Sequence, residues 1–426
     1  HFGINKQQEI IRLIYEIAKR EQCCFDDVIP EKLKNERSFP ALKRYLLKRR
    51  FPNFSPQERE SFHLLSKLKL DPDARVNVYP TLDINPKTFY IEKAVQESSL
   101  VQRLKKKFPR TNCVLIPSYK EYIADKKYSL ADYNNRLDQF FIVRQDYDHL
   151  MPCPCSAASL GCGYHILNIG QGCVFECTYC YLQGYINSPG IVLPSNIEDF
   201  FDAFRKLEIK PGRVGSGQFT DSLVFDHLTE FSPLIVDFFR GYPQVQFEFK
   251  TKSKNIENLL GIPSAGNIVV GWSLNPQKII DTTELYAASL SERLSAAQQC
   301  ARAGYQVAFH FDPIVFYDGW EQDYQELVEQ LFSSVEARQI AWISLGALRM
   351  TPALKKTIET RFPENKILDG ELLPGYDGKF RYSKELRKNI YSKMGGWLRS
   401  FSPRGHVYLC MEEEEVVLSC KKSRII

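Results

Sequence analysis

No stretch of the sequence approaches the roughly 18 consecutive apolar residues of a membrane-spanning helix, so no span is expected. The first residues, HFGINKQQEI, lack the charged-then-apolar layout of a secretory signal. An excess of one charge is lacking too: 56 Lys and Arg against 51 Asp and Glu leave a net +5. That balance permits a nucleic-acid partner without demanding one. Nor is this the cysteine-dense composition of a small disulfide scaffold. Twelve cysteines lie in 426 residues, several of them clustered, a usage that favours metal ligation in a reducing cytoplasm over bridges. What is present is ordinary for a globular protein: 44% hydrophobic and 25% charged residues. The length suffices for a large core and more than one domain.

Four regions are expected along the chain. Residues 1–75 read as a helical extension, with Ile10, Leu13, Ile14 and Ile17 on one face of QQEIIRLIYEIAKR. Its run Lys48-Arg49-Arg50 reads as a solvated face. Residues 76–150 read as a small α/β unit, with strands in VNVYPTLD and TNCVLIP and a helix in EKAVQESSLVQRLKKKF. HLMPCPCSAASLGCG looks like a linker. From there to residue 365, strand-like runs alternate with helix-like ones: YHILNIG, GRVGSGQF, VQFEFKT, NIVVGWSL, YQVAFHFD and IAWISLG. Six β-then-α repeats predict a parallel sheet rolled into an incomplete barrel, a partial (β/α)6 arrangement, since a closed TIM barrel needs eight. Residues 366–426 read as a polar C-terminal region with a strand in GHVYLCM.

Chemistry on such a fold belongs at the C-terminal ends of the strands, and GCVFECTYCYLQG follows the first of them. Cys173, Cys177 and Cys180 are spaced C-x3-C-x2-C. Thiolates on one short loop can hold the corner of an iron–sulfur cluster, and three of them leave one iron open. The same thiols would also suit zinc completed by His165 or another cysteine. Upstream, Cys153, Cys155 and Cys162 form C-x-C-x6-C, read as plain structural thiols ahead of a second metal site.

The cysteine loop, with an aromatic just before its last thiol, resembles the cluster loop of radical S-adenosylmethionine enzymes. More narrowly, CTYCYLQ, TDSLVFDHLT, FKTK, WSLN, ARAGYQVAFHFDPI with DGW, and LGALRMTP resemble the spore photoproduct lyase family, as does YIEKAVQESSLVQRLKKKFP. The likeness covers about residues 80–365 and leaves residues 1–75 outside. It implies a barrel of the radical S-adenosylmethionine type and a 4Fe–4S cluster on Cys173, Cys177 and Cys180. It further implies S-adenosyl-L-methionine on the fourth iron, a 5′-deoxyadenosyl radical that abstracts hydrogen, and an external reductant of flavodoxin or ferredoxin type. DNA carrying a thymine photoproduct is the implied substrate, with a small molecule or peptide as the alternative. Lys252 would pair with the methionine carboxylate, and Ser273 and Asn275 would bond carboxylate or ribose. Ser216, in Gly215-Ser216-Gly217, matches the amino-group turn; Tyr179 would pack on adenine, and Asp221 would contact cofactor or substrate.

One departure matters. The family carries a hydrogen-donating cysteine just before the T-x-D segment, and here Gln218 stands at that place. Glutamine has no weak X–H bond to give. Tyr181 occupies the family's relay position, so half of the relay remains, with Cys410 or Cys162 as replacement donors. His310 and Asp312 share one face of the fifth barrel strand, and Arg349 follows the sixth, where it would meet an anion or a salt-bridge partner. The stretch DGKFRYSKELRKNIYSK interleaves Lys379, Arg381 and Lys384 with Phe380 and Tyr382, a pattern for phosphate and base contacts or for an amphipathic helix.

Overall fold

A computed structural model of the chain describes residues 2–60, 72–76, 84–155, 162–184, 188–208 and 212–422. At its centre is an eight-stranded sheet. The six repeats form its parallel core: Tyr164–Leu167, Arg213–Ser216, Gln246–Thr251, Ile268–Ser273, Gln306–Ile314 and Ile340–Ala347, in spatial as in chain order. These are the first to sixth barrel strands below. Helices Ile197–Arg205, Phe231–Arg240, Leu290–Arg302 and Trp320–Ser334 lie on the connections, as their apolar periodicity predicts. Their packing is aromatic: Phe204, Phe239 and Phe247 are fully buried and in ring contact in sequence. Each such side chain contributes roughly 1.5–3 kcal/mol over leaving it exposed.

One edge of this sheet differs from expectation, and the other is the strand expected in GHVYLCM. The presumed linker contains a strand, Leu150–Pro152, antiparallel to the first barrel strand. Its alternation was hidden by two prolines, which an edge strand tolerates. The C-terminal region supplies the other edge, Val407–Leu409, parallel to the sixth strand. DGKFRYSKELRKNIYSK is the start of a long helix, Lys384–Phe401, preceded by a two-residue strand.

Inside the curled sheet, polar side chains from several strands converge on Glu248. Glu248 on the third strand accepts from Tyr164 on the first (2.9 Å) and Trp342 on the sixth (3.2 Å), and meets His310 of the fifth at 2.7 Å. Gly271 on the fourth strand makes room: a Cβ there would lie 2.5 Å from the Glu248 carboxylate. Burial would push Glu248 up, yet the His310 contact and nearby cations hold it down to about 2.

The N-terminal α/β unit is a four-stranded parallel sheet in the order Asn112–Ile116, Thr88–Glu92, Gln139–Val143, Ile191–Pro194. Its fourth strand comes from beyond the cysteine loop, so strand pairing ties the two sheets together. The strand predicted in VNVYPTLD falls on residues 77–83, outside the described residues. The predicted helix is shorter, Ser99–Lys107, with Ser98 as its N-cap. In the extension, Ile4–Glu21 packs on Phe39–Arg50 through Leu13, Ile17 and Leu46, as the helical face predicts. Arg50 is not solvated: it is 3% exposed, pairs with Glu16 at 2.9 Å and donates to the Leu368 carbonyl. It thereby anchors the extension to the C-terminal region. No helix among the described residues is long and apolar enough to cross a membrane.

Candidate functional site

The loop after the first barrel strand is shaped by Gly172, whose φ of +92° and position 2.8 Å (as a notional Cβ) from Ile191 exclude a side chain. Cys173 and Cys177 are buried and Cys180 partly so. Burial pushes the Cys173 thiol up to about 12, with Asp221 and Cys180 adding. Burial also raises Cys177 and Cys180, opposed in both by Lys252. The three thiols are close enough to influence one another. Yet among the described residues no three His, Cys, Asp or Glu side chains converge tightly enough for a single metal ion.

Two arginines hold the loop from behind. Arg136, 1% exposed, donates to the Cys173 carbonyl (2.8 Å) and the Phe175 carbonyl (3.1 Å) and pairs with Glu176. Arg361 reaches the same Glu176 at 2.8 Å and Gln183 at 2.6 Å. Neither was signalled by the sequence, because lone arginines between elements carry no motif.

In front of the loop, residues Glu176–Cys177 pair antiparallel with Glu284–Leu285. This register sets Glu284, 1% exposed, among Asn275 (2.9 Å), Arg293 (2.6 Å) and the Tyr179 hydroxyl. Burial works against its charge, but Arg293 and Lys252 hold Glu284 down to about 2. Lys252 remains an ammonium: burial disfavours it, while Glu284 and Cys177 restore it. Its Nζ lies 5.7 Å from the centre of the Tyr179 ring. Asn275 also accepts from Tyr324 at 2.7 Å, and Ser273 lies buried with its carbonyl bonded to Arg293. Sequence reasoning found Lys252, Tyr179, Ser273 and Asn275 but missed Glu284 and Arg293, which fall in TTELY and LSERLS without any recognisable pattern.

Asp221 spends its acceptors internally: Oδ1 takes the Thr251 hydroxyl (2.6 Å) and the Leu223 and Val224 amides, and Oδ2 takes the Lys252 amide (2.6 Å). It therefore shapes the turn that presents Lys252. Ser216 donates to Ser222 at 2.8 Å beside Gly217. Tyr181, 37% exposed, donates its hydroxyl to the backbone carbonyl of Gln218. The two positions singled out by resemblance thus meet.

Further round the rim, Arg349 binds Asp312 through 2.8 and 3.2 Å contacts, a salt bridge inside the barrel. Cys410 follows the last strand, its amide on the Leu345 carbonyl at 2.8 Å. Burial pushes its thiol up to about 12, with Asp312 adding and Arg349 opposing. Asp226 accepts from Ser232 and Asn258, a structural role. The basic–aromatic run is largely internal: Arg381 and Tyr382 are 2% and 1% exposed, Arg381 on Asp377, and Lys384 pairs with Glu415. Those two side chains are not available to phosphates or bases.

The spore photoproduct lyase family model matches residues 154–409, more than half of the chain. A spore photoproduct lyase of Geobacillus sp. (strain Y412MC61) is 28% identical over 256 residues, 57% of this chain and 75% of the relative. Among solved structures, a spore photoproduct lyase point mutant with dinucleoside spore photoproduct aligns with a TM-score of 0.64 at 25% identity. It covers 78% of this chain and all of the other. A double mutant with bound AdoMet and the same dinucleoside aligns with a TM-score of 0.64 at 24% identity, over 78% of this chain and 100% of that one. With these likenesses spanning the curled sheet and its cysteine loop, the chain belongs to the spore photoproduct lyase family and is a radical S-adenosylmethionine enzyme of the lyase type.

Proposed function

We propose that Cys173, Cys177 and Cys180 hold a 4Fe–4S cluster whose open iron takes S-adenosyl-L-methionine, and that the substrate is a thymine photoproduct in DNA. The observation that carries the reading is the set of two buried thiols and one partly buried thiol facing Lys252 and the Glu284–Asn275–Arg293 network. The C-x3-C-x2-C spacing on one loop after the first barrel strand supports a cluster over zinc. When bound, the cluster and cofactor supply one electron to the sulfonium and hence a 5′-deoxyadenosyl radical.

The chain's own residues then bind, orient and shield. Lys252 neutralises the cofactor carboxylate as a point charge, with its backbone fixed by Asp221. Ser216, Ser273 and Asn275 offer short polar contacts around it, and Tyr179, held by Glu284, provides an aromatic face for adenine. The two-arginine hold on the loop keeps the thiols in register. Electrons come from a carrier of flavodoxin or ferredoxin type.

Hydrogen return differs from the family pattern because Gln218 replaces the donor. Cys410 takes that role: it is a neutral thiol on the barrel rim beside Arg349 and Asp312. Tyr181, bonded to the Gln218 carbonyl, remains a relay element. A second reading, a non-DNA small molecule or peptide, is favoured by the internal pairing of Arg381 with Asp377 and by Gln218 itself.

The deciding experiment is anaerobic incubation of the reconstituted protein with dinucleotide spore photoproduct. Release of thymine together with 5′-deoxyadenosine supports the DNA reading. Formation of 5′-deoxyadenosine without thymine moves the substrate to the second reading.

A further inference from the structure

Cys153 and Cys155 belong to neither the cluster loop nor the cofactor network. They follow the edge strand Leu150–Pro152, fixed by the Cys153 amide on the Tyr164 carbonyl (2.8 Å) and the Cys155 amide on the Cys153 carbonyl (2.7 Å). Their sulfurs are 3.8 Å apart. The sheet's other edge carries Cys410, and curling brings the edges together: Arg213 of the second strand stacks on Tyr164, Trp342 and Tyr408 and donates to the Tyr408 hydroxyl at 3.3 Å. Cys153 consequently lies within electrostatic range of Cys410 and of Cys162. Arg349 and Lys379 face Cys155, while Asp312, Lys250 and Arg349 surround Cys410.

We propose that Cys153 and Cys155 are a redox pair that takes over the radical left on Cys410 after hydrogen return and ends each turnover as a disulfide. The proposal rests on Cys410 as the hydrogen donor. In balance, the product carbon radical takes H• from the Cys410 thiol, leaving a thiyl. That thiyl takes H• from the Cys153 thiol, which restores Cys410. The Cys153 thiyl then bonds to the Cys155 thiolate, giving a disulfide radical anion. Its surplus electron leaves to a one-electron carrier of the flavodoxin or ferredoxin class. A dithiol reductant, supplying two electrons and two protons, reopens the bond.

The protonation states suit these steps. The contact with Cys153 lowers Cys155, with the cations Arg349 and Lys379 adding and burial opposing, so of the pair Cys155 is the one that gives up its proton more readily. Cys153 is raised by the shared hydrogen bond and burial and keeps its proton, as Cys410 does. A donor needs S–H and the trapping partner needs S⁻.

The test is a single turnover of the full-length holoprotein with dinucleotide spore photoproduct, without thiol reductant, followed by acid quench, alkylation and peptide mass mapping. Cys153 and Cys155 are expected to be joined and protected, with Cys410 alkylated, and turnover to stop until dithiothreitol is added. In Cys155→Ser the link is lost, and dithiothreitol no longer restarts turnover. Both Cys153 and Cys155 alkylated after product has formed overturns the proposal. If no thymine is released, the functional reading has failed instead, and a second arm judges the pair alone. One equivalent of diamide, a two-electron thiol oxidant, is expected to close Cys153–Cys155 before modifying exposed Cys24 or Cys113. The reverse order contradicts the proposal.

Discussion

The two sides of the barrel rim treat their cysteines differently. Around the cluster loop the carboxylates are buried and tied by at least two neighbours: Glu176 by two arginines, Glu284 by Arg293, Asn275 and Tyr179. Where the sheet's two edges converge, Cys153, Cys155 and Cys410 are partly buried, and Cys155 is lowered by its contact with Cys153, with two cations adding. The first side suits a permanently bound cofactor that must exclude water. The second suits thiols that change state and are reset from outside. Family likeness is strong around the cluster loop and broken at Gln218, whose carbonyl meets Tyr181 beside that loop.

The comparison can be broken most severely at the cluster. Cys177→Ala is expected to abolish iron retention and all 5′-deoxyadenosine formation, read by iron content and absorbance near ~400 nm. Cys410→Ala should instead leave 5′-deoxyadenosine formation intact and remove only the closed product. Next in size is Glu284→Gln. It strands Arg293 and Lys252 as buried cations and is expected to cost about 3–5 kcal/mol in denaturant unfolding.

A third measurement sharpens the thiol side. The reactive form of Cys155 is the thiolate, so its alkylation rate should stay level down to about pH 6 and fall below that. An ordinary thiol loses its reactivity already below roughly pH 8.5. Buried Cys173, raised by burial, should stay unreactive through that range in the apoprotein. The smallest effect is expected at Lys384→Ala. Its pairs with Glu413 and Glu415 are partly exposed, and the change should shift stability by less than about 1 kcal/mol. DNA affinity, measured by a mobility shift across salt, should follow the same order if the run is structural.

The barrel was legible because short apolar runs alternate with 3.6-period ones, and all six strands fall where that alternation predicts. The cysteine loop was legible because close spacing along the chain is itself the signal. Glu284, Arg293, Arg136 and Arg361 were not: Arg136 and Arg361 meet Glu176 from 40 and 185 positions away, and Glu284 reaches the cysteine loop only once Glu284–Leu285 pairs with Glu176–Cys177. The Leu150–Pro152 strand was masked by prolines, and the buried role of Arg50 by its place in a basic run. Long-range pairing of charges leaves no periodic trace. Nor does convergence of two sheet edges, which is why Cys153, Cys155 and Cys410 could be named separately but not joined.

The central claim is that a radical begun at the cluster loop is closed by a thiol and not at Gln218. Anaerobic turnover of dinucleotide spore photoproduct in D2O tests it directly, because thiol hydrogens exchange with solvent and carbon-bound ones do not. Thymine carrying one solvent deuterium in its methyl group, and none formed by Cys410→Ala, is the expected result. Thymine without solvent deuterium, or unchanged labelling in Cys410→Ala, would contradict the account.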